Sequence, residues 1–209
     1  MYERLYHQVI EWIPEKSRVL DLGTGDGEFL ARLVRQKQVF GEGVEKNAEL
    51  ATRCISRGLV VHQGDLLDGL DQYGDASFDY ILLLGTFQEL TDWKKVLGEA
   101  FRVGRGVVIS YSNFAHLRAR LQMMLKGRTP VTRSLPSPWY HTPNVHFFSI
   151  LDFQDFCRTL KITEVKSAFF NQRGRVRWWP NLRAELAVSL IEADRSAIVQ
   201  KGLDLDWRI

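Results

Sequence analysis

Asp21, Gly23, Gly25 and Gly27 alternate through the stretch Arg18-Val-Leu-Asp-Leu-Gly-Thr-Gly-Asp-Gly-Glu-Phe29, and two further acids, Glu45 and Asp65, each follow a later apolar run. Glycines so closely spaced leave a loop that is free to take positive φ and carries no Cβ. A ligand can then lie directly against the backbone where the N–H groups of the next helix open. Glu45 comes 18 residues after Gly27, the kind of spacing at which a ribose-binding acid follows a glycine-rich loop, and its two oxygens can accept both ribose hydroxyls. A dinucleotide fingerprint, G-x-G-x-x-G, would need glycine at 28, where Glu28 stands, while Gly27 arrives one residue early. The chemistry these residues point to is nucleoside binding, against the plainer reading of a strand-to-helix turn.

Positioning such a loop takes a strand before it and a helix after it. Val19, Leu20 and Leu22 suit a buried parallel strand, and Phe29, Leu30, Leu33 and Val34 recur at helical spacing. Leu5, Tyr6, Val9, Ile10 and Ile13 predict an N-terminal helix within 1–14 that covers the sheet edge or the cleft. Asn47 is placed to cap a helix carrying Leu50, Cys54 and Ile55 and closed by Gly58, after which Leu59 to His62 form a third strand. Phe78 to Leu84 is a buried fourth strand, a helix begins at Asp92, and Val107 to Tyr111 is a fifth strand. Strands alternating with helices require a parallel sheet with right-handed crossovers and helices on both faces.

Beyond the fifth strand the chain is less generic. A helix is expected from Asn113, with Leu117, Leu121, Met124 and Leu125, stopped by Gly127 and Pro130. Pro136, Pro138 and Pro143 then stiffen a long aromatic and histidine-bearing loop, either a lid, a docking surface or packing for Trp139 and Tyr140. A helix capped by Asp152 and two closing strands, Ile162 to Phe170 and Ala184 to Ile191, joined by an arginine-rich hairpin, bring the count to seven. Residues 1–192 form one domain in this reading, with 113–150 as an insertion and 193–209 as a tail without pattern.

Two cysteines, Cys54 and Cys157, sit among helical residues and suggest reduced, packed thiols. Apolar runs reach about seven residues, short of the ~20 that span a bilayer, and the first residues lack a signal-peptide pattern, so a soluble cytoplasmic protein is expected. Net charge is +3, yet Ala100 to Leu151 holds seven Lys or Arg and no acid, leaving −4 on the remainder. This block is either a solvated basic face or an attraction for an anionic substrate or acidic partner. No nucleic-acid-binding module accompanies it, which makes nucleic acid unlikely. His141 and His146 lack Cys or carboxylate neighbours at ligand spacing, so no metal site is expected.

D-x-G-x-G-x-G from Asp21 to Gly27 resembles the first motif of class I S-adenosylmethionine-dependent methyltransferases, a Rossmann-like fold whose seven-stranded, mostly parallel sheet ends in an antiparallel strand. Gly-Val-Glu-Lys, Gln63-Gly-Asp-Leu, Ser-Phe-Asp-Tyr-Ile, Asn113-Phe-Ala-His-Leu-Arg-Ala-Arg-Leu-Gln, Leu-Pro-Ser-Pro-Trp-Tyr-His-Thr-Pro-Asn-Val-His and Pro180-Asn-Leu-Arg-Ala-Glu narrow this to a resemblance to the MetW family of methionine biosynthesis, over about Val9 to Glu192. The resemblance implies S-adenosylmethionine or S-adenosylhomocysteine contacts at Asp21, Gly23, Thr24, Gly25, Gly27, Glu45, Lys46, Asp65, Leu66 and Gly85. Asp65 and the Leu66 backbone would meet the adenine. It also implies a homoserine O-acyltransferase as partner, with Gln88, Tyr111, Asn113, Arg118, Arg120, Arg128, Trp139, Tyr140, His141 and His146 as substrate or partner residues.

The chain departs from methyltransferases that carry Asn/Asp-Pro-Pro-Tyr after the fourth strand, since Gly85-Thr-Phe-Gln stands there and offers no general base. Methyl transfer to a good nucleophile can still proceed by proximity and orientation. Two functions are therefore expected in competition: a cofactor-binding partner that supports or regulates the acyltransferase, or an active methyltransferase for a small anionic metabolite. A docking surface would be flat and outward; a substrate pocket would be concave beside the cofactor.

Overall fold

The computed structural model describes residues 1–193, so the tail expected at 193–209 lies outside the described residues apart from Ala193. In chain order the first half runs α1 (Tyr2–Trp12), β1 (Arg18–Leu22), α2 (Glu28–Lys37), β2 (Phe40–Glu45), α3 (Ala48–Ser56), β3 (Val60–Gln63), α4 (Leu66–Leu70) and β4 (Phe78–Leu84). A single 3-10 turn, Phe87–Glu89, leads to α5 (Trp93–Val103) and β5 (Gly104–Ser112). Then come α6 (Leu117–Lys126), α7 (Ile150–Thr159), β6 (Thr163–Asn171), β7 (Gly174–Arg175), α8 (Pro180–Arg183) and β8 (Leu186–Glu192).

The strands form one sheet in the order β3-β2-β1-β4-β5-β8-β6-β7. β1 to β5 are mutually parallel, while β8 inserts antiparallel between β5 and β6. The antiparallel last strand agrees with the expectation; the count does not. An eighth strand exists because the arginine-rich hairpin folds back and pairs Gly174 and Arg175 with Asn171 and Phe170.

The apolar runs are explained by burial on both faces. Val19, Leu20 and Leu22 of β1 and Ile81, Leu82 and Leu83 of β4 are fully enclosed, as strands covered by helices on two sides must be. On one face α1 and α2 seat Leu5, Val9, Phe29 and Leu33 against Val19, Leu82 and Val188, and Cys54 of α3 packs on Leu30. On the other, Val96, Leu97 and Phe101 of α5 and Phe153 of α7 meet Leu22, Ile81, Ile109 and Tyr111. Cys54 and Cys157 are both free and buried, in separate clusters.

Several local expectations shift. α1 stops at Trp12 because Ile13 turns extended ahead of Pro14. The helix expected from Asn113 starts at Leu117, since Asn113 is committed elsewhere. α7 is capped by Ser149 rather than Asp152: Ser149 accepts from Asp152 N–H, and the Asp152 side chain reaches back to Ser149 N–H in a capping box. Among the described residues no helix is long and apolar enough to cross a membrane.

Candidate functional site

The sheet order reverses between β1 and β4, and the crevice outside the carboxyl ends of these strands is where an open α/β sheet binds ligands. Of the three loop glycines, Gly23 lines it directly. Gly23, Gly25 and Gly27 have φ of +79°, +62° and +77°, and the last caps α2. A Cβ on Gly23 would come within 2.6 Å of Thr86 Oγ1, and one on Gly27 would strike Leu59 and Cys54. At Gly25 a Cβ would meet nothing within 4 Å, so this glycine faces open space.

Glu45, 8% exposed, holds the loop from the side. Its Oε2 accepts from Gly25 N–H and its Oε1 from Asn47 N–H, both at 2.8 Å. Each oxygen keeps a further lone pair, so the carboxylate can still accept from two vicinal hydroxyls. Asp21 lies beneath the loop, where burial pushes its carboxyl up to about 6 despite the hydrogen bond donated by Thr24 Oγ1 at 2.7 Å. Thr24 is itself buried, so both residues shape the loop from below.

Opposite Glu45, Asp65 caps α4 by accepting from Leu67 N–H at 3.3 Å, and its other oxygen is 3.7 Å from the exposed Lys46 ammonium. Gly23, Glu45, Lys46, Asp65, Leu66 and Thr86 share a cleft of about 510 Å³, within the ~300–1,000 Å³ typical of small-ligand sites. Thr86 closes the gap between β1 and β4 by donating to Leu22 O at 3.1 Å. Gly85, at φ +88° with no atom near its would-be Cβ, opens onto an adjoining recess.

The substrate or partner residues divide into two groups. Gln88, Tyr111 and Asn113 are enclosed, at 3%, 1% and 0% exposure. Gln88 accepts from Ser112 N–H at 2.7 Å and donates to Ser112 O and His146 O, while its own carbonyl accepts from Val145 and His146 N–H. It therefore binds the proline loop to the end of β5. Asn113 donates to Asn181 O and Ala184 O, fixing α8. The Tyr111 ring packs between Phe148 and Phe153, and burial drives its phenol well above its usual pKa. Gln88 and Tyr111 nevertheless line the recess behind Gly85, whereas Asn113 does not.

The second group lies outside. Arg118, Arg120, Arg128, Trp139, Tyr140 and His141 are exposed. Half-buried His146 is held with Nε2 2.9 Å from Leu90 O. Among the described residues no group of three His, Cys, Asp or Glu side chains could hold a metal ion. One site residue escaped the sequence reading: Glu89, on the 3-10 turn, lines both the cofactor-sized cleft and the recess behind Gly85. Its signal was an acid directly after Phe87-Gln88, but only folding reveals which hollows it lines.

This sheet order, with a glycine loop after β1 and an acid at the end of β2, defines the class I S-adenosylmethionine-dependent methyltransferase fold. Such enzymes from Thermotoga maritima (21% identity, TM-score 0.65, 92% of this chain and 89% of that one) and Archaeoglobus fulgidus (15%, 0.66, 92% and 95%) share it. So does magnesium protoporphyrin IX methyltransferase of Synechocystis PCC 6803, solved with bound S-adenosylhomocysteine (12%, 0.65, 92% and 84%). Within that class the chain belongs to the family of the methionine biosynthesis protein MetW, matched over residues 4–191. It is also 34% identical over 193 residues to the bifunctional methionine biosynthesis protein MetXA/MetW of Rhodopirellula baltica. That match takes in 86% of this chain but only 31% of the relative, so the chain spans about a third of the longer protein.

Proposed function

We propose that the chain binds S-adenosylmethionine or S-adenosylhomocysteine in the β1–β4 cleft and works in methionine biosynthesis as the partner of a homoserine O-acyltransferase. Glu45 would take the ribose hydroxyls, Asp65 and the Leu66 backbone the adenine, and the backbone of Gly23 and Gly25 the amino-acid end. The spare lone pairs of Glu45 and the open side of Gly25 support this fit. When bound, S-adenosylmethionine supplies an electrophilic methyl group.

The observation that carries the partner reading is the outer face of α6. Ala119 is its one buried residue, while Leu117, Leu121, Met123, Met124 and Leu125 stand 40–74% exposed beside Arg118, Arg120, Lys126 and Arg128. Trp139 and Tyr140, 70% and 66% exposed, extend the same sequence block. Exposed apolar surface rimmed by like charges marks a protein-binding face, and the joining of MetXA and MetW in the name of the Rhodopirellula relative supports the kind of partner. A second reading, methyl transfer to a small acceptor, draws support from the recess joined to the cleft at Glu89. The arginines that suggested an anionic acceptor line neither the cleft nor this recess.

The test is calorimetry with S-adenosylhomocysteine, followed by size-exclusion of the chain mixed with a homoserine O-acyltransferase, with and without the cofactor product. Binding heat and co-elution are expected. An absence of heat with folded protein overturns the cofactor reading; separate elution in both conditions overturns the partner reading.

A further inference from the structure

The recess behind Gly85 has a composition that the rest of the chain does not explain. It holds about 220 Å³ at the carboxyl ends of β4 and β5, roofed by Tyr2 of α1 and by the proline loop at Asn144. Ser110, 4% exposed, contributes a hydroxyl from β5, and Asn144 is half-buried above it. Burial raises the Tyr2 phenol, which is therefore neutral. Among the described residues lining it, the single formal charge is Glu89; Lys, Arg and His are all missing from the wall.

Glu89 is also without a counter-charge. Burial alone acts on its carboxyl, raising it, and no described donor or cation stabilises the ionised form. Glu89 is exposed, so its ionised form keeps contact with water while its charge acts on whatever enters the recess. A ligand cation at this point is attracted to that charge, whereas a carboxylate or phosphate would be repelled with no cation on the wall to offset it. The five basic side chains between Arg118 and Arg133 are all exposed and stand outside the wall.

We infer that this recess is a binding site for a small ammonium-bearing molecule with hydroxyl or amide groups, with Glu89 as counter-charge and Ser110 and Asn144 as hydrogen-bonding partners. Because Glu89 lines the cofactor-sized cleft as well, the ammonium is held at the junction of the two. The assignment differs from the expectation of an anionic metabolite, and it stands on this pocket alone, apart from the cofactor and partner readings.

The test uses the full chain, isotopically labelled for amide NMR, and three probes of equal length: 4-aminobutan-1-ol, butane-1,4-diol and 4-hydroxybutanoate. The amino alcohol should shift the amides of Gly85, Ser110 and Asn144 saturably, with affinity about tenfold above the hydroxy acid. Glu89→Gln, a nearly isosteric change at a solvent-reaching side chain, should lower amino alcohol affinity about tenfold and leave the diol unchanged. Glu89→Asp, which keeps the charge, should retain part of the preference. A hydroxy acid that binds as well as the amino alcohol overturns the assignment. So does undiminished amino alcohol binding by Glu89→Gln, or an absence of shifts at those amides with all three probes. Failure here leaves the S-adenosylhomocysteine calorimetry untouched, since that reads a different ligand.

Discussion

Glu45 does two things at once, and its replacement will show both. Its oxygens already satisfy Gly25 and Asn47 N–H, so Glu45→Ala orphans two donors of the loop as well as removing the proposed ribose acceptor. Affinity for S-adenosylhomocysteine should fall by about 1.5–3 kcal/mol in calorimetry, the range for truncating a charged hydrogen-bonding partner. Gly25→Val acts differently: its Cβ enters open space, so packing survives at a strain of ~1–2 kcal/mol from positive φ, while the branched side chain would crowd the backbone proposed to hold the cofactor. Binding should vanish with native circular dichroism; an unfolded variant would make Gly25 structural. Asp21 gives a pH prediction. Its folded pKa, about 6, lies above the ordinary carboxylate value of 3.8, so between these the folded state holds a proton that the unfolded state has lost. This contribution is therefore fully present below about pH 4 and disappears as pH rises through about 6. Asp21→Asn should flatten that fall, by an amount on the order of 3 kcal/mol, in urea melts run from pH 4 to pH 8.

Among the elements, the long connection from β5 to α7 is tied to the sheet end by the buried Gln88 amide, together with Ser112 Oγ to Ser134 O and His146 to Leu90 O. Gln88→Ala leaves Ser112 N–H without its acceptor at the end of a fully covered strand. It should cost about 1–3 kcal/mol, and hydrogen exchange should quicken first at Ser112 and through the proline loop, ahead of β1 and β4. What the sequence made legible follows from range. The glycine loop, the Asn47 cap, whose side chain accepts from Glu49 and Leu50 N–H, and the β–α alternation all rest on neighbours in the chain. Gln88, Asn113 and Tyr111 stood out because they are polar or aromatic at the carboxyl edge of the sheet, and Gln88 and Tyr111 do line the recess there, but their structural partners were not legible. Their partners lie far along the chain, 24 residues away for Ser112 and 71 for Ala184, and no local pattern reveals such pairs. Glu89 was overlooked for the opposite reason: it has no partner, and only the fold shows the two hollows it faces. The two-residue β7 was likewise hidden inside a charged hairpin, where strand periodicity has no room to appear.

At the scale of the whole molecule, charge and apolar surface are sorted by location. Arg102 is paired with Asp75 and Glu99 beside α5, and Arg105 stands 4.0 Å from Asp79 at the far end of the sheet. The net positive charge of the acid-free block therefore concentrates on α6 and the loop after it, on the side of the chain that shows its leucines and methionines to solvent. Arginines at the rim of an interface act mainly on encounter, so Arg118→Ala with Arg120→Ala should slow association with the acyltransferase and flatten its salt dependence. Trp139 carries a large exposed ring, and as an anchor near the centre its loss costs about 2 kcal/mol or more, about thirtyfold in affinity. Trp139→Ala should act mostly through faster dissociation. If the same residues served a small substrate instead, these changes would raise KM and leave partner kinetics alone. Surface plasmon resonance on the acyltransferase with the native chain, the double arginine variant and Trp139→Ala separates these cases. A slower on-rate for the first variant and a faster off-rate for the second support docking through this face; unchanged kinetics in both remove it from the interface.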